Sequence, residues 1–177
     1  MEISIRQERP EDYSKTEEVV KSAFLDEEYS DKKEHELVHR IRKTEAFIPE
    51  LSLVALNQNE SIVGHILLSK IKIVDGEKAV ESLALAPVSV LPEYQKKGIG
   101  SQLIKEVLKK AEEAGFHSVI VLGHSEYYPK FGFKQAKLWD IKAPFDVPDE
   151  VFMAIELTEK CLESVRGIVQ YSEAFSE

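Results

Sequence analysis

The sequence predicts a mixed α/β fold, a central sheet flanked by helices, and three observations carry that reading. Strand-length segments that alternate or are wholly apolar recur along the chain. Two helical patterns separate the first of them from the next. One strongly amphipathic helix then sits between two apolar strands. The order β-α-α-β-β-β-α-β-α-β-β is neither a strict alternation nor a run of strands alone.

Ile3-Ser4-Ile5-Arg6 alternates and reads as a first strand ended by Pro10, and Glu11 to Phe24 places Val19, Val20, Ala23 and Phe24 at helical spacing. An acidic loop, Asp26-Glu27-Glu28-Tyr29-Ser30-Asp31, leads to a second helix over Glu34 to Lys43. Leu51 to Leu56 and Ile62 to Val74 read as strands joined at Asn57-Gln58-Asn59-Glu60, and Asp75-Gly76 marks the next hairpin turn. Val80 to Val90 is a long apolar strand interrupted by Pro87, which lacks a ladder donor and so marks an edge or a bulge. Ser101 to Ala114 carries one stripe, Leu103, Ile104, Val107, Leu108 and Ala111, with Gly115 at the C-terminal cap position. Ser118 to Leu122 reads as a strand buried on both faces, and shorter elements follow around Tyr127-Tyr128, Phe133 and Val151 to Leu157.

The 177 residues suit one domain over 1–177, with a core over about 3–157 and an extension over about 158–177 packed on it or trailing from it. A single cysteine, Cys161, excludes an internal disulfide, and no apolar run resembles a signal peptide or a membrane span, so a cytoplasmic protein is expected. With 23 basic and 32 acidic residues the net charge is −9, which disfavours nucleic acid and anionic membranes as partners and is compatible with a cationic one.

Gln95-Lys96-Lys97-Gly98-Ile99-Gly100 lies between the Pro87 strand and the amphipathic helix. A helix start leaves about four backbone N–H groups unpartnered under a partial positive charge, which suits a phosphate. Gly98 and Gly100 are expected to permit close approach and positive φ, and Lys96 and Lys97 add charge. A dinucleotide fingerprint fails because Leu103 stands where its third glycine belongs, and a P-loop fails because Gly100 is followed by Ser101-Gln102.

What survives, Gln-x-x-Gly-x-Gly between a proline-interrupted strand and an amphipathic helix, resembles the pyrophosphate motif of the GNAT superfamily of acyl-coenzyme A N-acetyltransferases. The resemblance covers Leu83 to Gly100 and resumes at Tyr127-Tyr128-Pro129-Lys130-Phe131-Gly132-Phe133, similar to the family's fourth helix and its Tyr-x-x-x-Gly-Phe ending. Gly123-His124-x-x-Tyr127-Tyr128-Pro129-x-Phe131-Gly132-Phe133 together with Gly167-Ile168-Val169-Gln170-Tyr171 resembles the YhbS-like branch.

The resemblance implies a sheet splayed between its fourth and fifth strands, with acetyl-CoA as co-substrate and an amine as acceptor. It implies donor contacts from Val88, Ser89, Val90, Gln95, Lys96, Lys97, Gly98, Ile99, Gly100 and Ser101. A backbone N–H near Val88 would polarise the thioester carbonyl, and transfer would be direct. Tyr128, four residues before Gly132, takes the position of the tyrosine that protonates the departing thiolate, with Tyr127 the neighbouring fallback and more readily a packing residue. Glu81 and His124 are the candidate bases for the amine, each with a plain surface or structural alternative. Cys161, without a nearby histidine in sequence, reads as structural. The acceptor side is expected from the first two helices, where Asp26, Glu27, Glu28 and Asp31 could attract a cation, and from the residues after Trp139.

One competing motif is His35-Glu36-Leu37-Val38-His39, the spacing of zinc peptidases. Both histidines lie well away from the helix's apolar face, basic residues surround them, and Arg42 occupies the position where an extended third-ligand motif has glycine. No metal is therefore expected. The other rival is a catalytically silent acyl-CoA-binding sensor. The acceptor's identity, acetyl against longer acyl donors, and the oligomeric state, a homodimer included, stay open from sequence.

Overall fold

The computed structural model describes residues 2–28 and 30–176; Met1, Glu177 and Tyr29 of the acidic loop lie outside the described residues. In chain order the elements are β1 (Ser4–Gln7), α1 (Tyr13–Phe24), α2 (Glu34–Arg42), β2 (Phe47–Leu56), β3 (Ile62–Asp75), β4 (Lys78–Val90), α3 (Ile99–Glu113), β5 (Ser118–Leu122), β6 (Lys134–Gln135), β7 (Ile141–Lys142), β8 (Phe152–Glu156) and β9 (Gly167–Gln170). The strands join one sheet in the order β1-β2-β3-β4-β5-β8-β6, with β9 on β3 and β7 on β9. Pairing is antiparallel except at β4–β5 and β7–β9. The β4–β5 pair is parallel because α3 is the crossover between them.

Side chains alternate across β3, so the two faces can be read from it. Ile66 and Leu68 face α3 and pack with its Leu103, Ile104 and Val107. Leu67, on the other face, packs with Val20 of α1 and with Val38 and Ile41 of α2. Further along that second face, Ile71 and Ile73 join Ile120, Ile141 and Val169, so β7 and β9 take over from the helices.

A buried polar network fastens α2 to the sheet. The fully buried carboxylate of Glu8 accepts from Arg42 Nη2 at 2.5 Å and from Ser52 Oγ at 2.8 Å. Arg42 Nη1 also donates to Glu17 at 2.6 Å, and its guanidinium lies 4.0 Å from the centre of the Tyr13 ring. Since Ser52 gives its proton to Glu8, it accepts at 2.9 Å from Nε2 of His65. Complete burial, with the nearby Arg42 charge, depresses the His65 pKa to about 3 and keeps the ring neutral.

Several expectations shift. β2 starts at Phe47, before Pro49, because a register break between Phe47 and Ser52 absorbs the missing N–H. α3 starts at Ile99, two residues early, because Gly98 is its cap. The expected fourth helix is a single 3-10 turn over Tyr128–Phe131. Of the two expectations for the extension, packed on the core or trailing from it, the structure shows the first: β9 pairs with β3, and its Gly167 is obligatory, since φ is +133° and a Cβ there would lie 2.1 Å from the Val74 carbonyl oxygen. Arg42, read as part of a solvated basic surround, is instead buried in the network above.

Candidate active site

The site begins where β4 leaves β5. Their pairing consists of Leu83 with Val119 and Ala84 with Ile120, and beyond it β4 runs from Leu85 to Val90 with no strand on that side. Pro87 lies in a bulge: β3 pairs Ile66 with Val88 and Leu68 with Leu85, so Ala86 and Pro87 together oppose Leu67. The Ala86–Pro87 peptide is cis. The strand edge over Val88, Ser89 and Val90 thus has no strand partner on that side among the described residues. Ser89 is buried, and its Oγ has no partner among the described residues.

From Val90 the chain turns through a 3-10 turn at Pro92–Tyr94 into α3. Gln95 holds this turn in place by donating Nε2–H to the Val90 carbonyl at 2.9 Å. Gly98, at φ +83°, caps the helix, and its carbonyl accepts the first helical bond, from Gln102 N–H at 3.1 Å. The N–H groups of Ile99, Gly100 and Ser101 therefore belong to a first turn that intrahelical bonding does not use. Gly100 does not adopt positive φ as expected; it is helical, and an added Cβ would sit in ordinary contact with the Tyr127 hydroxyl, 3.6 Å away. Ile99 is buried and anchors the turn, while Lys96 and Lys97 are exposed.

Tyr127 and Tyr128 divide the space between this helix start and β5. The Tyr127 hydroxyl meets Ser101 Oγ at 3.1 Å, and Lys130 Nζ lies 4.3 Å from its ring centre. Sequence reasoning ranked Tyr127 as packing and did not foresee this contact. Tyr128 is 7% exposed and packs edge-on against Tyr127 at 5.2 Å and Phe133 at 5.7 Å. Its ring occupies the space a side chain at Gly123 would need, since a Cβ there would lie 2.3 Å from the ring. Burial, with Tyr127 adding a smaller effect, pushes the Tyr128 phenol up to about 12.

On the second face of the sheet, a cavity of about 810 Å³ opens across the mouth of the splay. Ala84 and Ala86 of β4 and Ile120 and Leu122 of β5 form its floor. Residues after Trp139 form the wall: Phe145 stacks on Tyr171 at 6.1 Å, and Tyr171 meets Phe175 at 5.1 Å. The acidic loop does not contribute: none of Asp26, Glu27, Glu28 and Asp31 lines the cavity. Asp31 instead accepts the Lys33 N–H at 2.8 Å at the entry to α2.

The candidate bases lie apart from this cavity. Glu81 is exposed on β4 before the splay and lines a neighbouring groove with Lys70, Lys72 and Glu173; Gln170 and Tyr171 border both spaces. The His124 ring is exposed, while its carbonyl accepts the N–H groups of Tyr127 and Tyr128. Cys161 donates Sγ–H to the His117 carbonyl at 3.0 Å, and burial raises its pKa. In the His-Glu-x-x-His helix, exposed His39 pairs with Glu17 at 3.2 Å. No cluster of three metal-ligating side chains exists among the described residues.

Comparison with known proteins gives the same arrangement. Residues 8–133 match the acetyltransferase (GNAT) family. The chain is 30% identical over 154 residues to the uncharacterized N-acetyltransferase YhbS of Escherichia coli, covering 87% of this chain and 90% of YhbS. The crystal structure of E. coli YhbS in complex with CoA superposes with a TM-score of 0.88 at 26% identity, over 99% of this chain and 92% of that one. A GNAT family acetyltransferase from Brucella melitensis in complex with acetyl-CoA gives 0.80 at 34% identity, over 98% of each chain. The splayed β4–β5 pair, the glycine-capped helix and the family match converge: the chain belongs to the GNAT acetyltransferase family, with YhbS among its relatives.

Proposed function

We propose that the chain transfers an acetyl group directly from acetyl-CoA to the nitrogen of a primary amine. The observation that carries this reading is a β4 edge without a strand partner, followed through the Pro92–Tyr94 turn by the first turn of α3 with its N–H groups unused. An extended pantetheine can add to such an edge as a strand would, and a pyrophosphate suits the N–H groups of Ile99, Gly100 and Ser101 with Lys96 and Lys97 beside them. The CoA and acetyl-CoA complexes of the two relatives support the same ligand for this chain.

The bound substrate supplies the thioester; the protein's residues do the rest. A backbone N–H near Val88 polarises the carbonyl oxygen and holds the charge that develops there as the amine attacks. As the carbon–sulfur bond breaks, Tyr128 donates its proton to the departing sulfur, and the new amide nitrogen loses one proton to water. Glu81 and His124 are the groups through which that water would pass the proton on. Cys161 takes no part, being held as a thiol against a backbone carbonyl. The reading is of a cytoplasmic enzyme, in keeping with a lone cysteine and with no described helix long and apolar enough to cross a membrane.

A thiol-release assay with acetyl-CoA against a broad amine panel tests the function, and Tyr128→Phe tests the acid. The variant should lower kcat by about 10²- to 10⁴-fold and leave acetyl-CoA affinity unchanged. Unaltered kcat removes Tyr128 from the mechanism. Acetyl-CoA binding without turnover on any amine favours the silent-sensor reading.

A further inference from the structure

The cavity at the splay has walls whose chemistry restricts what can enter. Its lining residues among those described carry no charged side chain. Leu122, Phe145 and Ile168 lie on it with 45%, 47% and 52% of their surface exposed, so an apolar ligand there removes apolar area from water. Charges are present nearby but segregated: Lys43, Lys70, Lys72, Glu81 and Glu173 line the neighbouring groove, beyond Gln170 and Tyr171.

We propose, building on the acetyl-transfer reading above, that this cavity selects a primary amine carried on an aromatic or branched-aliphatic body with no second charge. The ring lies against the Phe145–Tyr171–Phe175 aromatics, and its amine reaches past Ala86 to the β4 edge. Polyamines, aminoglycosides and lysine-rich peptides need carboxylates for their remaining charges, and the described residues of the cavity wall offer none. Desolvation also helps the chemistry. Burial pushes the Tyr171 phenol up to about 12, because the walls disfavour a charge, and the same walls favour the neutral, nucleophilic form of a bound amine. The reaction is unchanged: the amine nitrogen gains the acetyl carbon, the carbon–sulfur bond breaks, and the thiol leaves with a proton.

Calorimetry on the protein saturated with CoA, titrated with tryptamine or with spermidine, tests the selection without requiring turnover. Tryptamine should bind about 30-fold tighter or more than spermidine. Phe145→Asp should weaken tryptamine about tenfold while the CoA Kd stays fixed; Leu122→Asp, on the opposite side, should do the same if the loop around Phe145 is perturbed. Spermidine binding as tightly as tryptamine, or neither variant affecting tryptamine, overturns the proposal. So does faster turnover of octanoyl-CoA than of acetyl-CoA with tryptamine, which assigns the cavity to the acyl chain. Tryptamine binding with no thiol release from acetyl-CoA sinks the catalytic reading and keeps the selection; thiol release with spermidine alone does the reverse.

Discussion

The two ends of the proposed site, donor and acceptor, are made of different material. The donor end is contiguous, from Leu85 to Ser101, and presents mostly backbone: an unpaired strand edge, a glycine cap and a helix start. The acceptor end is assembled from side chains of β4, β5, β9 and the loop around Phe145, segments distant in sequence. A backbone site is fixed once the strand and helix are fixed, and few substitutions alter its hydrogen-bonding pattern. A side-chain wall can be rewritten residue by residue without touching the strand edge. One scaffold can therefore keep its donor and exchange its acceptor.

The largest expected effect falls on the foundation the two ends share. Arg42→Met leaves the Glu8 carboxylate buried without its cation, so unfolding by denaturant should show a loss of about 3–5 kcal/mol. Both ends should then fail together; loss of acceptor binding alone would break the claim of a common foundation. Gly123→Ala comes next. The added methyl displaces the Tyr128 ring, with an expected cost of about 1–3 kcal/mol and a fall in kcat larger than any change in acetyl-CoA affinity.

The donor end should answer only to its backbone. Gly98→Val forces a β-branched residue to φ +83°, and acetyl-CoA affinity measured by calorimetry should drop by an amount equivalent to about 1–3 kcal/mol. The amine's own affinity for the CoA-loaded protein should stay near wild type. Phe145→Ala is the mirror experiment and the smallest: the acceptor KM should rise about tenfold with the acetyl-CoA Kd unchanged. A change in acetyl-CoA affinity there would show that the two ends are not separable.

The same contrast decides what the sequence could disclose. Pro87, the glycine pair and the stripe on α3 are close in sequence, and each acts through local backbone geometry, so the β4 bulge, the α3 start and most of the sheet are legible there. Gly100 was misread because the helix boundary depends on which glycine turns left-handed, and Gly98 and Gly100 are equivalent on composition alone. Arg42 reads as a solvated charge from sequence because its partners, Glu8 and Glu17, are distant along the chain. The Phe145–Tyr171–Phe175 wall has no spacing signature, since Phe145 lies in a loop far along the chain from Tyr171 and Phe175 and meets them only through the tertiary fold. The Tyr127–Ser101 contact joins two turns across the site and leaves no trace in either one.

β9 covers Lys72 to Val74 of β3, past the point where β2 stops pairing at Ser69, and it can do so only because Gly167 lets the backbones approach. During synthesis that stretch of β3 leaves the ribosome long before its cover does. A nascent or truncated chain ending before Gly167 carries a naked strand edge next to a cavity missing part of its wall. Completion of the cavity wall and protection from aggregation thus arrive in the same few residues, and a product cut short there would meet quality control with its cavity still open.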